Sequence, residues 1–216
     1  MYQILNEKEL LVAKNIVNIA LANSAESFSK LAKKNFQLHC VEIPPSSPAN
    51  DLNRIINSEE ELYVLITEIK GDLPAESFLV FTPANAVEIV KLLLPSESVK
   101  EMIEPILMEI DNILTASVVT QFSNFMNIKC YGDVPQLRKL NKNEIENLIR
   151  MKMHDLDVRV SFKTSFVADQ HNVHPEFIWL FDHSLVDHIR ETAKDDEMIA
   201  SMENHQEKLN TYMIFS

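Results

Sequence analysis

Apolar positions along this chain recur with two periods, one helical and one strand-like, and the same succession is played twice. From about Glu7 to Lys34, Leu10, Ala13, Ile16, Ala20, Ser24 and Phe28 share a stripe at helical spacing. Phe36 to Ile43 alternates like a strand, and Pro44-Pro45-Ser46-Ser47-Pro48 breaks the chain into a loop. Leu62 to Ile69, rich in Val, Ile and Tyr, reads as a strand. Gly71-Asp72-Leu73-Pro74 makes a turn and Phe78 to Phe81 a further strand. Thr82-Pro83 starts a helix that runs to Leu94, where Pro95 ends it. The second pass begins with a long helix from about Glu101 to Asn127. A strand near Ile128 to Tyr131 follows, with Pro135 in a loop. Strands over Val158 to Val167 and Phe177 to Phe181 come next, then a helix from Ser184 to Ala193 that Asp182 or Ser184 would cap.

The repetition survives direct alignment. Laying Asn15 over Glu109, an offset of 94 residues, brings Ile16, Asn18, Ile19, Ala22, Phe28 and Ser29 onto identical residues. The unit at Phe78 lies over that at Phe177 at an offset of 99 residues, and the polar stretch Lys139 to Asp155 reads as the inserted material. The pattern predicts an α/β (α+β) fold. It is a single pseudo-two-fold domain over 1–193, with helix-strand-strand-strand-helix halves at about 7–95 and 101–193. Long helices pack on a mostly antiparallel sheet. Residues 194–216 form a C-terminal extension. Its Asp195-Asp196-Glu197 suits a helix start, and its end, Tyr212-Met213-Ile214-Phe215, either folds back on the body or binds a partner.

On the second long helix, Leu107, Ile110, Leu114, Val118, Phe122 and Phe125 make the core stripe. Glu109 and Asn112 lie about 60° apart on the wheel, nearly opposite that stripe. Ala116, Val119 and Ser123 continue the outward face with small side chains, and no Lys or Arg occurs between Glu109 and Phe125. Solvated helices usually carry such charges, so this face suits close approach by another protein. Taken alone, Glu-x-x-Asn is too common to identify a site. Its partial copy gives it weight: Asn18 stands in register with Asn112, and Ala22 with Ala116.

Composition narrows the chemistry. A net charge of −12 argues against a nucleic-acid partner. Two glycines in 216 residues leave no room for a glycine-rich phosphate loop or dinucleotide fingerprint. His171 and His174 have a metal-like spacing but no acidic or thiol cluster around them, so they read as loop residues and no cofactor or metal is expected. No apolar run reaches the roughly 20 residues of a membrane helix, and nothing resembles a signal peptide. With only Cys40 and Cys130, two free thiols in the cytoplasm are expected.

The Glu109–Asn112 helix resembles the signature helix of the CheC/CheX/FliY family of response-regulator phosphatases from bacterial chemotaxis, and is most similar to CheC. The family pattern is Asp or Ser, three residues, Glu, two residues, Asn, then 22 residues and Pro. Glu109, Asn112 and Pro135 match; Pro105 stands where the Asp or Ser should be. The likeness extends over roughly Glu7 to Ala193, including Gly71-Asp72-Leu73-Pro74. It implies a phosphorylated CheY-like response regulator as partner. Glu109 would dock a partner lysine and Asn112 would orient the water that attacks the aspartyl phosphate, with Mg2+ held by the partner. The first copy has Asn15 in place of the Glu, Leu11 at the Asp/Ser position and Pro44 three residues late, so Asn15 and Asn18 make at most a weak second site. The alternatives are a non-catalytic module that binds a regulator or a CheD-like deamidase, and a flagellar-switch component like FliY.

Overall fold

A computed structural model describes residues 5–32, 36–42, 60–94, 99–156, 160–168 and 175–215. The Pro44–Pro48 loop and the His171/His174 pair lie outside the described residues. The elements run α1 (Glu7–Ala32), β1 (Phe36–Glu42), β2 (Leu62–Gly71), β3 (Ala75–Phe81), α2 (Pro83–Leu93) and α3 (Val99–Met126). They continue with β4 (Cys130–Gly132), β5 (Gln136–Leu140), α4 (Lys142–Asp155), β6 (Val160–Ala168), β7 (Glu176–Phe181), α5 (Ser184–Thr192) and α6 (Asp196–Phe215).

Local chemistry sets the helix ends. Asn6 and Glu9 cap α1 reciprocally, Asn6 Oδ1 accepting the Glu9 N–H at 3.0 Å and Glu9 Oε2 the Asn6 N–H at 2.9 Å. Thr82 Oγ1 accepts the Asn85 N–H at 3.1 Å, and Pro83 takes the first helical position of α2. Asp182, outside α5, accepts the Ser184 N–H at 2.9 Å. Asn127, with φ 52°, turns the chain out of α3 in the left-handed region that often closes helices.

The sheet is antiparallel in every pairing, in the order β1-β6-β7-β3-β2-β4, with β5 also on β2. Exchanging each first-half strand for its second-half counterpart returns the same order reversed. The axis passes between β3 and β7, where Phe78 faces Ile178 and Leu79 faces Phe177, two pairs that the 99-residue offset maps onto each other. Each half also lends its first strand to the other: β1 pairs β6, while β4 and β5 pair β2. The halves are therefore interleaved.

Central strands are buried on both faces. Leu65, Ile69, Leu79, Phe81, Phe177, Trp179 and Phe181 enter the main core under α1, α2, α3, α5 and α6. Leu62, Val64, Ile66, Phe78, Val80, Ile178 and Leu180 face the other way, onto Ile145 and Ile149 of α4. This corrects the reading of Lys139 to Asp155 as an insertion. That stretch holds β5 and a capped helix covering the second face, where Lys152 reaches the buried Glu76 at 2.8 Å. The connectors 43–61 and 141–159 are equal in length, so the change of offset accumulates across the strands.

One smaller expectation changes and another is filled in. Leu10 stays 38% exposed, because the α1 stripe meets the core only from Val12 and Ala13 onward. Residues 194–216 include a genuine helix, α6, whose Met202 is fully buried in the main core. Among the described residues no helix is long and apolar enough to cross a membrane.

Both glycines serve the seat of β4. At Gly71 φ is +107°, and a Cβ there would stand 2.1 Å from the Lys129 carbonyl oxygen. The turn is clamped there, since Asp72 N donates to Lys129 O and Lys129 N to Asp72 Oδ2, each at 2.9 Å. Gly71→Ala should therefore cost about 2 kcal/mol or more, measured by urea unfolding, from the backbone conformation and the displaced β4 together.

Candidate active site on α3

Leu107, Ile110, Leu114, Val118, Phe122 and Phe125 are all buried, as the wheel requires. Ser24 of α1 donates to the Leu114 carbonyl at 3.2 Å, and Ser117 Oγ meets Ser27 Oγ at 3.3 Å, so the two long helices cross closely through small side chains. With its back fixed, α3 turns Glu109, Asn112 and Ala116 to solvent. Three residues apart on a helix, the two polar side chains start about 5–6 Å from each other. No described residue bonds either of them. An acid and an amide stand side by side, uncommitted.

The outward face is shorter than the wheel implies. Val119 is buried and Ser123 half-buried because the chain after α3 doubles back across that stripe. Cys130 Sγ lies 3.0 Å from Ser123 Oγ and 3.6 Å from the Val119 carbonyl oxygen. Burial pushes this thiol's pKa up, which makes Cys130 a packing residue. Farther along, Gly132 fits so tightly against Thr115 and Thr67 that a Cβ would come within 3.3 and 3.4 Å of their methyl groups. Lys139 ends this run, bonded to Glu104 at 2.8 Å.

β4 and β5 are one edge strand with a bulge. Gly132 pairs with Ile69 and Gln136 with Ile66, so Asp133, Val134 and Pro135 oppose only Thr67 and Glu68. Asp133 N still reaches the Glu68 carbonyl at 2.8 Å, and Pro135, which has no N–H to offer, occupies the break. The strand runs antiparallel to α3, with Gly132 beside Thr115 and Lys139 beside Glu104. The bulge therefore lies level with Glu109 and Asn112. Pro135 lies outside the strands, as expected, and is buried in the bulge at that level.

Sequence reasoning missed Asp111. It sits between Glu109 and Asn112, turned sideways toward β2, and is fully buried. Thr67 Oγ1 donates to its Oδ2 at 2.6 Å, while Oδ1 and the nearby Thr115 hydroxyl have no partner. Burial, only partly offset by the Thr67 hydrogen bond, raises its pKa from 3.8 to about 7. The available signal was Gly132: a lone glycine in a strand marks close backbone approach, here to Thr67, which holds Asp111, and to Thr115.

The first copy differs in kind. Asn18 is exposed like Asn112, but Asn15, the counterpart of Glu109, is only 7% exposed. The reason is α6, which lies along α1 and is tied to it by Lys8–Asp196 at 2.9 Å and Asn23–His205 at 3.4 Å. Asn15 lies two turns beyond Lys8 on that covered stripe. Asn15 and Asn18 thus do not share a surface. Among the described residues no group of three or more His, Cys, Asp or Glu is placed to hold a metal.

At the level of sequence, no family model matches this chain and no curated protein is similar to it. Solved structures do resemble it. FliY from Thermotoga maritima superposes with a TM-score of 0.66 at 16% identity, covering 89% of this chain and 98% of that one. The chain has the fold of the CheC/CheX/FliY family. CheX in a CheX–CheY–BeF3–Mg2+ complex from Borrelia burgdorferi gives 0.53 at 12% identity, covering 77% and 97% of the two chains. The FliM middle domain of Vibrio alginolyticus gives 0.54 at 12%, covering 84% and 99%.

Restoring the acid to the first copy should not create a second site. Asn15→Glu places a carboxylate under α6, and the expected outcome is a loss of about 3 kcal/mol in thermal unfolding at neutral pH.

Proposed function

We propose that this protein accelerates hydrolysis of the aspartyl phosphate on a CheY-like response regulator, with Glu109 docking the partner and Asn112 orienting the attacking water. The observation that carries this reading is the exposed, uncommitted Glu109–Asn112 pair on a helix held rigidly from behind, with Pro135 level with it. An acyl phosphate is already reactive, so holding a water in line supplies a large rate gain without a nucleophile from this chain. A carboxamide both accepts from and donates to that water and does not titrate near neutrality. The divalent cation belongs to the regulator's own phosphorylation site. Among the structural neighbours, a CheX bound to CheY with a beryllofluoride and Mg2+ supports a regulator as the kind of partner this fold accommodates.

Pro105 favours a second reading, a binding module of the same fold that holds a regulator or a CheD-like deamidase without turnover. It lies exposed inside α3, one turn before Glu109, where the signature has an Asp or Ser. The FliM middle domain shows that the fold reaches beyond CheX and FliY, so the fold alone does not decide between the readings.

Phosphate release from a phosphorylated CheY-like regulator separates them. Asn112→Ala should reduce the acceleration about 100-fold with little change in affinity, the scale of a lost positioning group. Unchanged release would sink the assignment, and stable binding by the wild type without release would favour the binding module. Glu109→Ala should chiefly weaken association, by about tenfold or ~1.4 kcal/mol in Kd, and make it less sensitive to salt.

A further inference from the structure

A carboxyl group inside the site helix is an expensive choice, because an apolar residue would fill the same space without removing a charge from water. Asp111 is fully buried, its one hydrogen bond comes from Thr67, and its other oxygen is an orphan, as is the Thr115 hydroxyl one turn along the helix. The charged and titratable groups of the surrounding elements are spent elsewhere or face away. Glu104 and Glu109 of α3 itself are on the solvent side. Lys139 of β5 is bonded to Glu104, and the Cys130 thiol of β4 lies against Ser123. His188 of α5 lies 3.0 Å from the Asp72 carbonyl oxygen. Tyr63 is four residues from Thr67 along β2, and α1 meets α3 through Ser24 and Ser27 as well as apolar side chains. No described cation neutralises Asp111.

We propose that Asp111 is held as the neutral acid in the folded protein and serves as a positioning residue, its bond to Thr67 fixing the rotation of α3 and so the aim of Asn112. The second part rests on the phosphatase reading above; the first does not. The geometry gives the pin its leverage. Asp111 and Asn112 are consecutive, about 100° apart on the helix, so a rotation that frees one swings the other. Thr67 is itself braced at the centre of β2, its carbonyl accepting from Ser77 Oγ at 3.5 Å. Gly132 of the returning strand packs tightly against the methyl groups of Thr67 and Thr115.

The sign of the pH dependence follows. The folded-state pKa lies above the ordinary value, so the native state holds a proton that the unfolded chain releases. This contribution to stability is complete below about pH 4, is lost as pH rises to about 7, and is flat beyond.

The test compares the wild type with Asp111→Asn, a neutral isostere, in urea unfolding from pH 5 to pH 8. The wild-type midpoint should fall relative to that of Asp111→Asn across this range, and the variant should equal or exceed the wild type at pH 8. An Asp111→Asn protein that is less stable by a constant amount, or increasingly so with rising pH, would show that Asp111 works as a carboxylate and would overturn the proposal. If Asp111→Asn does not fold, isotope-edited infrared spectroscopy of the wild type at pH 6 decides. A protonated carboxyl band from a buried aspartic acid supports the proposal, and its absence overturns it. For positioning, release from a phosphorylated CheY-like regulator is followed with Asp111→Ala and Asp111→Asn. Asp111→Ala should lower kcat at least tenfold with KM nearly unchanged, and Asn should restore it. Equal losses in both variants would overturn the positioning role. Absence of release by the wild type itself would instead defeat the phosphatase reading, leaving the unfolding and infrared results to judge the proton.

Discussion

The exchange of first strands between the halves is the constraint on which the rest of the structure depends. Because β4 and β5 pair with β2, the chain leaving α3 must double back along the helix it has just completed. That return path does three things at once. It covers the outward stripe of α3 beyond Ala116, through Cys130 against Val119 and Ser123. It lays Gly132 tightly against the methyl groups of Thr67 and Thr115. It leaves Glu109 and Asn112 open, level with a bulge whose proline has no N–H to leave unpaired. The site is what remains of a helix face after an edge strand has crossed the rest of it.

The two-fold design is broken by addition. α1 and α3 are built to one plan, with Ile16 and Ile110, Phe28 and Phe122 all buried in equivalent places. α6 lies along α1 and reaches α3 at its far end, where His205 meets Phe125 edge-on; it buries Met202 in the shared core and covers the Asn15 side of α1. The substitution of Asn for Glu in the first copy then follows physically. Under α6 an unpaired carboxylate would lose its water and gain no counter-charge, whereas a carboxamide costs less to bury.

What could be read from sequence was what periodicity carries over many residues. The long helices and the core stripe of α3 emerged because many positions agree on one period, and the central strands because they are unbroken runs rich in apolar residues. The parts that failed depend on a partner distant in the chain. The burial of Val119 involves β4 and that of Asp111 involves Thr67 of β2, and β4 is three residues long, too short to show a period. Asn15 is hidden by a helix 180 residues farther on. α4 is a different kind of miss, since its signals were local: Asn141 and Glu144 form a capping box, and Ile145 and Ile149 recur at helical spacing. Its polar composition was absorbed into the idea of an insertion, although the connectors of the two halves are equal in length.

A site of two side chains also explains why fold and function separate in this architecture. The proposed chemistry asks of this chain only a docking charge and a water-orienting amide, since phosphate, metal and leaving group all reside in the partner. A similarity in fold therefore carries no information about activity unless the pair, its exposure and its bracing come with it. The bracing is the more demanding part. An exposed Glu and Asn arise easily on any helix, but an amide that must place a water in line needs a helix that does not roll. In this chain α3 is held by Ser24 and Ser27 across the α1 crossing, by β4 over the end of the stripe and, on the proposal above, by the bond from Thr67 to Asp111. The chemistry faces outward, and what makes it competent lies on the opposite and lateral faces of α3.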